Sequence, residues 1–230
     1  MTASDGQAPR RPKAIADIAV HSALNDGTII CLRTITPDDE QLLRDGIAQL
    51  SAESRYLRFF SPVAVLPDAV IERLVDVDGH DHIAWGAICT ECEGQPAIGA
   101  VHAVRYDDGG RAGEFSVAVV DEFQGQGLAR MMTAALLVHC LSERLAVLDV
   151  HILSENAAAK RLVKSLDAEW TGESAGVAEY RLDVAAGLAA LRADTDAPGV
   201  CDVLRALEGD VKGGRPSPSR RRGSLPAAGG

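Results

Sequence analysis

Glu114 opens an apolar, β-branched run, Glu114 to Val120, and stands ten residues ahead of Gln124. A carboxylate that enters an apolar strand has its pKa raised by desolvation, which suits a general base. Strand alternation puts Glu114, Ser116 and Ala118 on one face. Asp121-Glu122-Phe123 breaks the strand, and Gln124-Gly125-Gln126-Gly127 forms a tight turn. From Leu128 the chain reads LARMMTAALLVHCL, a strong helix former with an apolar face. The first amides of a helix have no partner within it and carry the positive end of its dipole. A glycine turn whose N–H groups converge there is a phosphate cradle.

Two phosphate-binding patterns fit this turn, beside the plain reading of an ordinary β-turn-α connection. In the dinucleotide pattern G-x-G-x-x-G, Gly125 and Gly127 match and Asp149 lies downstream. Arg130 holds the third glycine's place, however, and its bulk opposes close helix–strand packing. The strand also follows other strands across short turns, not a crossover helix. The second pattern, Q/R-x-x-G-x-G/A, is met by Gln124, Gly127 and Ala129.

The stretch Arg111 to Ala135 resembles motif A of the GNAT N-acetyltransferase superfamily. TIICLRTITPDD, LSAESRYLRFFSP, GEFSVAVVDEFQGQGLA and HILSENAAAKRLVKSL are similar to successive segments of the bacterial Pat-type protein lysine acetyltransferases. The resemblance runs from Asp26 to Asp183. It implies an α/β GNAT fold: a mixed, mostly antiparallel sheet with a central V-shaped splay and helices on both faces.

The resemblance also implies acetyl-CoA as co-substrate and a set of residues to hold it. The amides of Gln124, Gly125, Gln126, Gly127, Leu128 and Ala129 would wrap the pyrophosphate. The backbones of Val119 and Val120 would pair with the pantetheine arm, with an oxyanion donor near Val119. Asn156 matches the asparagine that bonds the pantetheine region; a plain helix cap is its other reading. Arg130, Lys160 and Arg161 are candidates for outer phosphates or are simply exposed helix charges. Glu114 takes the place of the catalytic base. Many superfamily members carry a tyrosine acid where this chain has Leu162-Val163-Lys164, so no side-chain acid is assigned to the leaving thiolate. One wall of the acceptor cleft falls on SAESRYLRFF, where Arg55, Tyr56 and Arg58 can face substrate. Residue type favours Tyr56, Phe59 and Phe60 as core.

The elements follow from pattern. Ile15 to Leu24 reads as a short helix or extended arm, Asp26-Gly27 as a turn, and Thr28 to Thr34 as the first strand. Thr36 and Pro37 start a helix to about Gln49, Ser51 caps another, and Pro67 to Val75 is a third. Asp78-Gly79-His80-Asp81-His82 reads as a polar turn, not a metal site. His82 to Cys89 and Ala97 to Tyr106 are antiparallel strands, and Asp107 to Gly110 turns into the Glu114 strand. Ala146 to Leu153 is a buried, parallel-type strand. Ser154 to Ala157 then caps a helix to about Leu166. Glu169 to Gly172 pairs with Glu179 to Val184, and short helices follow at Ala185 to Arg192 and Val200 to Glu208.

The 230 residues fit one domain, 15–194, with a disordered leader at 1–14 and a short helix plus disordered basic tail at 195–230. That length leaves no room for the regulatory nucleotide-binding domain that some Pat-type proteins carry. Net charge is −10; residues 211–230 hold one Lys, four Arg and no acid, so residues 1–210 carry −15. An acidic body disfavours nucleic acid and suits a protein lysine or small amine. Five scattered cysteines argue for a reducing compartment, and Cys89-x-x-Cys92 is a lone pair at a hairpin end without zinc spacing. No metal is expected. The longest apolar run, around Met131 to Leu141, is too short to span a bilayer, and the N-terminus lacks a signal peptide's apolar core. A cytoplasmic location follows; the oligomeric state is open. The function implied is acetyl transfer to protein lysines, with small-amine acetylation or non-catalytic acyl-CoA sensing as alternatives.

Overall fold

The computed structural model describes residues 15, 18–61, 66–107 and 110–212. The expected leader at 1–14 and most of the basic tail lie outside the described residues. Eight strands form one sheet in the order β1-β2-β3-β4-β5-β6-β8-β7. They are β1 (Val20–Ala23), β2 (Ile29–Thr34), β3 (His82–Cys89), β4 (Ala97–Arg105), β5 (Ala112–Val119), β6 (Val147–Leu153), β7 (Glu169–Ser174) and β8 (Val177–Asp183). The helices are α1 (Glu40–Ala48), α2 (Ala52–Phe59), α3 (Asp68–Val75), α4 (Leu128–Ser142), α5 (Ala157–Lys164), α6 (Val184–Ala193) and α7 (Pro198–Lys212). Within the segment read as a helix or arm, Val20–Ala23 is extended, as β1 paired with β2.

Every strand pair is antiparallel except β5–β6. That parallel pair is registered only from Ala112↔Val147 to Phe115↔Val150. Beyond it β5 continues to Val119 against β4 alone, while β6 continues to Leu153 against β8. The sheet therefore parts after Phe115, and this is the splay.

Two apolar cores lie on the two faces. The larger buries Trp85, Phe115, Met132, Leu136, Leu148 and Val163 beneath α4 to α7. The smaller gathers Ile35, Leu43, Ile71 and Val75 beneath α1 and α3. Helix α7 joins the larger core through Val200, Val203, Leu204 and Leu207. A Cβ on Gly199 would stand 2.6 Å from Met131 Sδ, so the start of α7 is seated directly on α4. The boundary expected at 194 thus cuts through one core, and α7 belongs with the domain.

Two further expectations are corrected. Cys89 and Cys92 do not form a plain hairpin end: a disulfide joins them, and Cys31, Cys140 and Cys201 are free. Tyr56 and Phe60 are not core, with 38% and 43% of their surface exposed, whereas Phe59 packs on the smaller core. Helix α2 has no buried residue and turns both rings outward at its end, where Phe60 adopts a left-handed conformation.

Candidate active site

A cleft of about 550 Å³ enters the sheet at the splay. Its walls come from β5 (Val117 to Val119), the turn before α4, the first turn of α5, α2, and the loop leading into α7. Hydrogen-bond geometry explains what β5 offers it. The Val120 N–H donates to the Ile98 carbonyl at 2.9 Å, in register with Gly99↔Val119. Antiparallel pairing alternates, so Ala118 and Ser116 also spend their backbone groups on β4. Val119 and Val117 point theirs the other way, into the gap that β6 has left. A ligand with amide groups can add there as an extra strand does. Val120 cannot take part as expected: its N–H is held by Ile98 and its carbonyl accepts from Phe123 N at 2.9 Å.

The turn supplies the cradle. Gly125 and Gly127 have φ of 75° and 87°, a left-handed backbone that glycine adopts freely. Among the described residues, no acceptor meets the N–H of Gly125, Gln126, Gly127, Leu128 or Ala129. Gln124 differs, because its N–H is taken by the Asp121 carbonyl at 3.2 Å. Its side chain instead braces the turn, donating to the Val119 carbonyl at 3.1 Å and to Ser54 Oγ at 3.2 Å. The β1–β2 hairpin adds a second brace from Asn25 N to the Gln126 carbonyl at 3.1 Å. Five free amides at the start of a 15-residue helix fit a pyrophosphate. A Cβ at Gly127 would come within 3.3 Å of Asn25 Oδ1, so the cradle has little room for a side chain.

Asn156 caps α5, its Oδ1 accepting from Ala159 N at 2.9 Å. It also lines the cleft, and its Nδ2 meets no acceptor among the described residues. The cap is made by Oδ1, which leaves Nδ2 free to meet a ligand. Arg130 is tied to Asp194, and Lys160 Nζ donates to the Ser154 carbonyl. Arg161 lines the cleft and stays exposed. Leu162 occupies the cleft wall where a tyrosine acid was looked for.

Glu114 lies at the end of the paired part of β5–β6, opposite Asp149. Its side chain is 55% exposed, so the burial expected of a strand carboxylate is absent. The last parallel pair, Phe115↔Val150, is one residue further along the strand. His151 Nδ1 stands 3.9 Å from Glu114 Oε1. Asp149 accepts from Arg181 Nε at 3.0 Å and from Tyr106 Oη at 3.2 Å. Burial, then the Asp149 charge, push the Tyr106 phenol up to about 12. Exposed Val104 pairs with Glu114 across β4–β5, so an anionic row is flanked by Val104 and Tyr106.

Arg58 and Ser116 form a contact that sequence reading did not assign. Arg58 Nη2 donates to Ser116 Oγ at 2.7 Å, and its Cζ lies 4.8 Å from the Phe59 ring centre. Burial pushes Arg58 down to about 10, with the Glu114 charge opposing. Behind Ser116, across β4–β5, stands buried His102, whose Nδ1 is 3.0 Å from His82 Nε2. His151 was legible in principle, because alternation along β6 sets it on the Asp149 face. The Asn25 brace and the Arg58–Ser116 bond join segments far apart in sequence, and no local pattern marks them.

The splayed sheet is that of the GNAT fold, and the chain belongs to the GNAT acetyltransferase family. The family model for an acetyltransferase (GNAT) domain matches residues 30–169. Acetyltransferase Pat of Mycolicibacterium smegmatis is 30% identical over 153 residues, 66% of this chain and 45% of that protein. An acetyltransferase of Pseudomonas aeruginosa is 25% identical over 115 residues, 50% of this chain and 61% of that protein. The chain thus spans about half the length of the curated relatives it matches. Among solved structures, the GNAT domain of S. lividans PAT superposes with a TM-score of 0.65 at 24% identity, covering 72% of this chain and 96% of that one. Spermidine N-acetyltransferase of Vibrio cholerae shares the fold at a TM-score of 0.54 and 17% identity, over 69% of this chain and 98% of that one. Among the described residues no helix is long and apolar enough to cross a membrane, and no group of three metal-ligating side chains is found.

Proposed function

We propose that this chain transfers the acetyl group of acetyl-CoA to lysine side chains of proteins, with Glu114 as general base. The observation that carries the reading is the joint placement of three features at one splay. They are five free amides in the Gly125–Ala129 cradle, a Val117–Val119 edge unpaired with β6 and held only by Gln124 at the Val119 carbonyl, and an open carboxylate at Glu114 nearby. When bound, the co-substrate brings the activated acetyl group. The amides hold its diphosphate, the Val119 edge aligns its pantetheine amides, and Asn156 Nδ2 donates to them. The Val119 N–H is the donor that faces the gap and stabilises the carbonyl oxygen as it gains charge.

Glu114 stands on β5 outside the residues that line the cleft, two positions before Ser116, which Arg58 of the cleft wall contacts. A lysine amine near pKa 10.4 is mostly protonated at neutral pH and must lose its proton to attack. Glu114 takes that proton, directly or through water, with His151 beside it. An open anionic row, flanked by Val104 and Tyr106, suits a cation on an apolar stem, and a body of −15 favours basic protein segments. The cytoplasm, where acetyl-CoA and lysine-rich proteins meet, is the location that suits this chemistry.

The test is mass spectrometry of acetyl-lysines in a lysate given the enzyme and acetyl-CoA, beside free-thiol release with polyamines. New acetyl-lysine sites that vanish with Glu114→Gln support the reading. Thiol release with polyamines alone transfers the proposal to small amines. No release with any amine, in a protein that binds acetyl-CoA, leaves a sensor.

A further inference from the structure

We infer that Arg58 stabilises the departing thiolate, the role for which the cleft has no tyrosine. The inference rests on the acetyl-CoA reading above. Among the described residues, three cations line the cleft: Arg58, Arg130 and Arg161. Arg130 is neutralised by Asp194, and Arg161 is exposed on α5 beside the outer part of the cleft. Arg58 alone of the three sits at the apex. Its Nη2 is 2.7 Å from Ser116 Oγ, and Ser116 is the first β5 residue past the last β5–β6 pair, Phe115↔Val150.

The remaining guanidinium N–H groups of Arg58 meet no acceptor among the described residues, and no carboxylate lies within ion-pair distance of it. A half-buried cation whose anionic neighbour, Glu114, acts without an ion-pair contact is costly to hold. It is kept in place by Ser116 and by the Phe59 ring below it. The diphosphate cannot be its counter-ion, because the amide cradle lies at the other end of the exposed β5 edge, past Val119. What reaches the apex along that edge is the far end of the pantetheine arm, where the sulfur is.

The chemistry then balances. Glu114 first passes the ammonium proton to solvent; the neutral amine nitrogen then bonds to the acetyl carbon, its second proton passes to Glu114, the carbon–sulfur bond breaks, and the electron pair leaves on sulfur. A thiol of ordinary pKa near 8.5 is a fair leaving group as the anion if a fixed positive charge meets it. Arg58 keeps its own proton at neutral pH, so it acts by charge and hydrogen bonding, and water later protonates the thiolate.

The experiment compares CoA with desulfo-CoA, which lacks the sulfur, by calorimetry from pH 6.5 to 9.5. With Arg58 at the sulfur, the affinity ratio of CoA to desulfo-CoA rises about tenfold across that range, a lowering of the bound thiol's pKa by about one unit. Arg58→Gln flattens the ratio and Arg58→Lys keeps part of the rise, with folding checked by circular dichroism. A flat ratio in the unmodified protein overturns the inference, as does a rise that persists in Arg58→Gln. Failure of both ligands to bind the unmodified protein sinks the acetyl-CoA reading itself, and this inference with it.

Discussion

The Gln124 side chain closes back on the Val119 carbonyl at 3.1 Å, so the turn that holds the cradle is tied to the strand edge that faces the gap. The same amide reaches Ser54 of α2 at 3.2 Å. Asp121 completes the arrangement by accepting from Ser51 Oγ at 2.7 Å and Ser54 Oγ at 2.8 Å. The cradle, the edge and the α2 wall that carries Arg58 therefore move as one unit.

Removing that brace tests its purpose. Gln124→Ala loses two exposed hydrogen bonds, each worth about 1 kcal/mol net at most in such a setting. Melting temperature should change by only a few degrees. Acetyl-CoA affinity in calorimetry should fall by roughly three- to tenfold, because the cradle and edge are no longer set relative to each other. An unchanged affinity would show that the backbone alone fixes them.

Gly127→Asp puts a Cβ and a carboxylate into the amide cradle, at a φ of 87° that disfavours side chains. Acetyl-CoA affinity should drop at least tenfold, about 1.4 kcal/mol. Gly127→Ala carries the backbone strain without the charge and should lose less. Equal losses in the two variants would assign the effect to strain and not to a phosphate at this turn.

Much of this arrangement was readable before any coordinates. The strand, glycine turn and helix from Glu114 onward, the β3–β4 hairpin and the parallel type of β6 follow from local pattern and turn chemistry, while the mostly antiparallel, splayed sheet was implied by the family resemblance. Helix α7 was assigned to the tail because polar Pro, Gly, Ser and Arg residues follow it. Yet Val200, Val203, Leu204 and Leu207 repeat at helical spacing, a signal that was available. Val120 was misassigned because residue type does not tell which way a strand's N–H points; that depends on the register with Ile98. The exposure of Glu114 is not marked by its local sequence, and Arg58 meets Ser116 across 58 residues of chain. Those are properties of the assembled sheet.

Stability should fall in mild acid through buried imidazoles. Burial, with Arg58 and His82 nearby, holds His102 well below the ordinary histidine range. Burial also lowers His82 and His139. A histidine whose folded pKa is depressed leaves the unfolded chain binding more protons, so stability is full above about pH 6.5 and declines as pH falls below it. Each such group contributes a slope of up to about 1.4 kcal/mol per pH unit. Urea unfolding from pH 7.5 to 5.0 should show this decline, and His102→Asn should make it shallower by one group's share. An unchanged slope would mean that His102 is not neutral in the folded state for the reason given.

Glu114→Gln keeps the shape of the side chain and removes the base. Acetyl-CoA should bind about as before, since the groups facing it are the Gly125–Ala129 amides, the Val119 edge and Asn156. The acetylation rate at neutral pH should fall by roughly 10²–10⁴, the usual contribution of a general base. The loss should shrink as pH rises toward the amine's own pKa, because more of the acceptor is then neutral without help. A residue that only positions substrate gives a deficit that is similar at every pH, so the profile separates the two roles. Two neighbours stand beside Glu114, and each predicts something different. If His151 were the base, Glu114→Gln would leave most of the rate and His151→Gln would remove it. If Asp149 were the base, its ties to Tyr106 and Arg181 would have to break first. Asp149→Asn would then abolish turnover while Glu114→Gln stayed active. The expected pattern is a large, pH-relieved loss in Glu114→Gln and a smaller one in His151→Gln. A full-rate Glu114→Gln enzyme would reject the assignment outright.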